Sequence, residues 1–83
     1  MTQGERVREV RKSLGLTLEK FGDKIGMKKN SVSQIENGKN NVTDANIKAI
    51  CREFNVDYIW LTTGKGEMFV DSDDDFIEKI DRI

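Results

Sequence analysis

Apolar residues recur along this chain at the spacing of helices. Leu18, Phe21 and Ile25 fall at i, i+3 and i+7, and Val32 and Ile35 repeat the three-residue step after a break at Gly26. Upstream, Val7, Val10 and Leu14 form a stripe on a first helix. Thr2 and Glu5 have the spacing of a capping box at its start, and it should end near Ser13 to Gly15. A second helix is predicted over about 17–25, opened by the Thr17 hydroxyl and closed by Gly26. A third follows over about 28–37, closed by Gly38. Thr43 with Asp44 behind it opens a fourth, whose apolar face is Ile47, Ile50, Cys51 and Phe54. Asp57 caps a short fifth helix carrying Ile59, Trp60 and Leu61, stopped by Gly64. No alternating pattern lasts long enough for a sheet, and proline is absent. The expected fold class is all-α.

Gly22 stands inside the second predicted helix, where glycine costs about 1 kcal/mol relative to alanine unless its lack of bulk is needed. Near the end of the chain, Phe76, Ile77, Ile80 and Ile83 make an i, i+1, i+4, i+7 stripe after the acidic run DSDDD. That stripe predicts a helix capped by Ser72, which cannot bury its apolar face alone: it folds back on the core or packs on a second subunit.

Eighty-three residues allow one domain with a modest core, too few for an enzyme scaffold with a deep cleft. The single cysteine excludes an internal disulfide and fits a reducing cytoplasm; Cys51 itself is expected in the core. No apolar run is long enough to cross a membrane, and the N-terminus lacks a signal pattern, so a cytoplasmic protein is expected. The net charge of −1 hides an asymmetry. Residues 1–40 hold nine Lys or Arg against five Asp or Glu, a net of +4, whereas residues 41–83 hold five against ten, a net of −5. A basic half can attract phosphate while the acidic half faces away, although the same charges also suit a solvated helical surface. Histidine is absent, and there is no paired-carboxylate or nucleophile constellation, which argues against an enzyme. DSDDD lacks the spacing, glycine and closing glutamate of a calcium loop and reads as a solvated acidic cap. No metal or cofactor is expected.

The segment from Thr17 to Gly38, TLEKFGDKIGMKKNSVSQIENG, carries a resemblance. LGLT at 14–17, the small residue Gly22, Gly26, Ser31-Val32-Ser33, IENGK at 35–39, Thr43 and FNVDYIWLTTG at 54–64 occur in the order and spacing of one family. The chain is thereby similar to the Cro and phage-repressor helix-turn-helix domains, the XRE type. The resemblance implies a compact five-helix lambda-repressor-like DNA-binding domain in residues 1–66. Residues 67–83 would be an acidic segment with an additional C-terminal helix, a candidate dimerisation element. The implied function is sequence-specific regulation of transcription, by a repressor of phage or prophage type, with double-stranded DNA carrying a two-fold operator and a homodimer as partners.

In such domains the third helix enters the major groove by its N-terminal turns. Lys28, Lys29, Asn30 and Gln34 are therefore the candidates to approach bases. Asn30 and Gln34 lie four apart on one face; a carboxamide can donate and accept one hydrogen bond each with adenine, and Lys29 can donate to the two acceptors of guanine. By resemblance Lys29, Asn30 and Gln34 hold the principal base-contacting positions, with Ser33 beside them. Without that resemblance, these polar residues would be read as the solvated side of an amphipathic helix. Thr17, Lys28, Asn37, Lys39 and Asn40 are candidate phosphate contacts flanking the helix, with Asn41 next to them.

Three residues depart from the family pattern. Lys28 stands where a capping Ser or Thr is usual, and its charge at a helix N-terminus should cost about 0.3 to 1 kcal/mol, which a DNA phosphate would offset. Leu18 replaces a Gln that commonly contacts the DNA backbone, and Val42 replaces a loop proline. The resemblance also implies a structural ion pair between Arg11 and Glu36. Trp60, Phe76, Ile77, Ile80 and Ile83 are candidate dimer-interface residues, Trp60 having core packing as its alternative. Two other classes fit the same chain: an antitoxin that autoregulates its promoter and binds a toxin through another surface, and a protein-interaction module without DNA binding.

Overall fold

The computed structural model describes residues 1–70. Phe76, Ile77, Ile80 and Ile83, and the helix expected to carry them, lie outside the described residues. Five helices follow in order: α1 (Gln3–Ser13), α2 (Leu18–Ile25), α3 (Lys29–Glu36), α4 (Asp44–Phe54) and α5 (Tyr58–Thr63).

Four of the five begin as the capping residues predict. The hydroxyls of Thr2, Thr17 and Thr43 accept from the amides of Glu5, Lys20 and Asn46, and Asp57 accepts from Trp60 N. At α1 the box is complete, because Thr2 N donates back to Glu5 Oε1 at 2.7 Å. α2 ends at Gly26, whose φ of 74° is a conformation that residues with a Cβ rarely adopt. α3 is shorter than its pattern suggested: Lys28 and Asn37 are the residues that flank it rather than members of it.

The core is one cluster of Val7, Val10, Phe21, Val32, Ile35, Ile47, Ile50, Val56, Trp60 and Leu61. Phe21, with no exposed surface, contributes about 1.5–3 kcal/mol by burial, and its ring stacks on Phe54 at a centroid distance of 4.9 Å. Two apolar positions fall elsewhere than the periodicity implied. Leu14 is exposed because α1 has ended one residue earlier and the chain turns through Gly15; Leu16 packs against the core instead. Ile59 projects from α5 with 55% of its surface exposed. Trp60 takes the core position of its two alternatives.

Beyond α5 the chain turns back and pairs with the α4–α5 junction. Asp57 N donates to Met68 O at 2.9 Å, Val70 N donates to Asn55 O at 2.8 Å, and Val56 and Phe69 form an antiparallel bridge. Met68 and Phe69 pack on the core, so the packed unit reaches past residue 66.

Two glycines set how closely elements approach. A Cβ on Gly22 would collide with the carbonyl of Met27, so this glycine admits the backbone of the α2–α3 turn, with the Val32 side chain just beyond. A Cβ on Gly4 would collide with the carbonyl of Ile35, so α1 rests its first turn directly on the last turn of α3. Gly22 and Gly4 thus hold α3 against the scaffold from two sides.

Candidate nucleic-acid interface

Helix α3 buries Val32, Ile35 and Glu36 and presents polar residues on its other side. Lys28, Lys29, Asn30 and Gln34 are all exposed, and Ser33 is half-buried at the edge of the same surface. Lys28 accepts the first intrahelical bond through its backbone carbonyl, from Val32 N at 3.1 Å, but its side chain caps nothing. The leading amides of α3 therefore have no side-chain acceptor, and two ammonium groups stand beside them. That end of the helix is a concentration of donors and positive charge suited to an anion.

At the other end, the chain leaves α3 and folds back over Gln34. Lys39 N and Asn40 N both donate to Gln34 O, at 2.8 and 3.3 Å, and Asn40 Nδ2 donates to Gln34 Oε1 at 2.7 Å. Asn37, at the helix end, accepts from Arg8 Nη2 at 2.9 Å and donates through Nδ2 to Ser33 Oγ at 3.4 Å. Lys39 and Asn41 are exposed on the same loop. Thr17 is exposed at the start of α2, with its hydroxyl already engaged by Lys20 N. The sequence-predicted residues thus divide into α3 itself, the 37–41 loop and the isolated Thr17.

The surface is fixed from beneath by Glu36. Arg11 Nε donates to Glu36 Oε2 at 2.7 Å and Arg11 Nη2 to Oε1 at 3.0 Å, with the Glu36 side chain only 3% exposed. Arg11 Nη1 also donates to Leu16 O at 3.1 Å, which anchors the turn after α1. The hydrogen bonds that Arg11 donates to Glu36 hold its guanidinium protonated to still higher pH than usual, against the opposing effect of burial. Arg8 reaches the same carboxylate at 3.4 Å. Sequence reading had missed Arg8, although its three-residue spacing from Arg11 on one helix was a usable signal.

Arg6 was missed as well. It is 8% exposed, and it donates from Nε to Leu61 O at 2.8 Å, from Nη2 to Thr62 O at 3.1 Å and from Nη1 to Met1 O at 2.8 Å. Cationic donors on carbonyls near the C-terminal end of α5 satisfy groups left without helical partners and oppose the helix dipole. Nothing in the sequence pattern links positions 6 and 61.

Cys51 is half-buried, and desolvation pushes its thiol pKa up, which disfavours the reactive thiolate. Among the described residues no cluster of His, Cys, Asp or Glu could hold a metal ion, and no helix is long and apolar enough to cross a membrane.

A family profile described as Helix-turn-helix matches residues 7–61, from within α1 to within α5. The chain belongs to the helix-turn-helix family. Within that family its fold is similar to that of the P22 c2 repressor, solved in complex with a synthetic operator, at a TM-score of 0.72 and 25% identity. The likeness covers 78% of this chain and 98% of the repressor chain. In sequence, this helix-turn-helix chain is 38% identical over 56 residues to the antitoxin PezA of Streptococcus pneumoniae, covering 68% of itself and 35% of that protein. It is 36% identical over 67 residues to a propionyl-CoA carboxylase regulator of Cereibacter sphaeroides, covering 81% of itself and 14% of the regulator. The chain thus spans well under half the length of either curated relative.

Proposed function

We propose that this chain is a sequence-specific DNA-binding transcriptional regulator, a repressor of phage or prophage type. In this reading α3 enters the major groove, Lys29, Asn30 and Gln34 face base edges, and Ser33 lies beside them. Lys28 and the uncapped amides of α3 meet one phosphate strand, while Asn37, Lys39 and Asn40 approach the other and Thr17 contributes from α2. The observation that carries this reading is the likeness to a repressor seen on its operator, over nearly the whole of that repressor chain. The basic N-terminal half is consistent with it, since all the proposed contacts lie there.

The partner in this reading is double-stranded DNA with a two-fold operator, and the protein binds it as a homodimer in the cytoplasm. Selection of bound fragments from genomic DNA tests the proposal. Enrichment of one sequence with an internal two-fold repeat, weakening steeply with salt, is the expected result. Absence of specific enrichment at low salt would overturn it.

The antitoxin reading has its own support in the similarity to PezA. It adds a toxin as a second partner and keeps the same DNA-binding face. Co-purification of a stoichiometric protein encoded beside this chain distinguishes it from a free-standing repressor.

A further inference from the structure

We propose that Asn40 is a positioning residue for base recognition, holding the side-chain amide of Gln34 in one orientation before DNA arrives. The proposal rests on the reading of α3 as the recognition helix and gives Asn40 a role in addition to its proposed approach to phosphate.

Gln34 is exposed, and a glutamine there would ordinarily sample several rotamers and both faces of its amide. Its carboxamide has two ends of nearly equal size and opposite hydrogen-bonding character. Bidentate pairing with adenine requires one arrangement, with the amide nitrogen donating to N7 and the oxygen accepting from the N6 amine; the reversed arrangement sets donor against donor and acceptor against acceptor.

Asn40 meets the oxygen end of that carboxamide in the structure. Its Nδ2 donates to Gln34 Oε1 at 2.7 Å, so the oxygen end is held toward the 37–41 loop and the nitrogen end is left free. The oxygen keeps a second lone pair for an incoming amine. The main chain of Asn40 is held beside Gln34, since Lys39 N and Asn40 N both donate to the Gln34 carbonyl, which fixes the point from which the Asn40 side chain reaches the Gln34 amide. Three hydrogen bonds from two consecutive loop residues therefore converge on Gln34. An anchor built this way restricts the reader without occupying the hydrogen bonds that the base needs, and it removes part of the ordering cost of binding.

The test uses the full chain and a random-sequence duplex library, with Gln34→Ala, Asn40→Ala and the double variant compared at several salt concentrations. Gln34→Ala should flatten the preference at one base pair and its two-fold mate. Asn40→Ala should reduce discrimination at that same base pair by roughly fivefold, the lower end of what one bidentate contact supplies. It should have no further effect on discrimination once Gln34 is alanine. In the free protein, Gln34→Ala should shift the NMR resonances of the Asn40 side-chain amide, with the melting temperature of each variant reporting that the fold is retained.

Equal weakening of all sequences by Asn40→Ala, in both backgrounds and with the salt slope unchanged because an uncharged amide neutralises no phosphate, would make Asn40 a phosphate contact only and overturn the proposal. Unmoved Asn40 amide resonances would overturn it too. Loss of the proposal alone leaves the parent chain selecting a sequence; absence of any sequence preference in the parent chain removes the recognition reading and the proposal with it.

Discussion

Arg11 and Glu36 meet through two hydrogen bonds, Nε to Oε2 at 2.7 Å and Nη2 to Oε1 at 3.0 Å, joining the scaffold helix α1 to the last residue of α3. Because the carboxylate is almost wholly buried, its removal leaves Arg11 without a counter-charge in a partly desolvated place. Glu36→Ala should lower stability by about 3 kcal/mol and weaken DNA binding with it. Gln34→Ala, on the exposed face, should reduce sequence preference with the melting temperature nearly unchanged. Thermal denaturation paired with binding to a selected site checks the division, and an equal loss of stability in both variants contradicts it.

Arg6 should be the most costly arginine to replace by alanine after Arg11. Its three acceptors are backbone carbonyls, two of them in α5, and they lose charged donors in a site nearly closed to water. Arg6→Ala should destabilise by about 2 to 4 kcal/mol in chemical denaturation. Arg6→Lys should recover only part of this, because one ammonium group cannot reproduce the guanidinium fork.

Glycine substitutions should separate steric from conformational cost. Gly4→Ala drives a methyl group into the Ile35 carbonyl and should cost about 3 kcal/mol while displacing α3. Gly15→Ala meets open space and pays only for its φ of 68°, about 1 kcal/mol. Similar losses in denaturation for the two variants would contradict this separation.

Acid should loosen the start of α1 through Glu5. Its backbone hydrogen bond from Thr2 holds its pKa below the ordinary glutamate value, so the folded state binds its proton less readily than the unfolded chain. The stabilisation is present above the unfolded pKa and is lost as pH falls through the lowered folded value. NMR titration of the Glu5 carboxyl should give a midpoint below that of glutamate in the unfolded chain, and Thr2→Ala, which removes only the smaller contribution of the hydroxyl and keeps the backbone N–H, should move it only partly back upward.

The helices were legible because each carries its own local signals. Thr2 with Glu5, Thr17, Thr43, Asp57, Gly26 and Gly64 act within a few residues of themselves, and the structure uses every one as a cap. Leu14 misled because periodicity continues on paper after the helix has ended. The 68–70 return and the clasp of Arg6 were invisible for another reason: backbone pairing leaves no side-chain pattern, and an arginine that caps a helix 55 residues away has no local signature. At the candidate interface, residue types and their face could be read, whereas the link from Asn40 to Gln34 depends on how the loop folds back.

The clasp between Arg6 and Leu61 also bears on how the molecule comes together. Closing it joins positions 55 residues apart, so it carries a larger loop-closure entropy than the α2–α3 pair, whose residues are near neighbours. On a chain growing from its N-terminus, α1, α2 and α3 can meet before α5 has been synthesised. The exposed polar face of α3 would then exist, loosely held, ahead of the clasp that completes the domain.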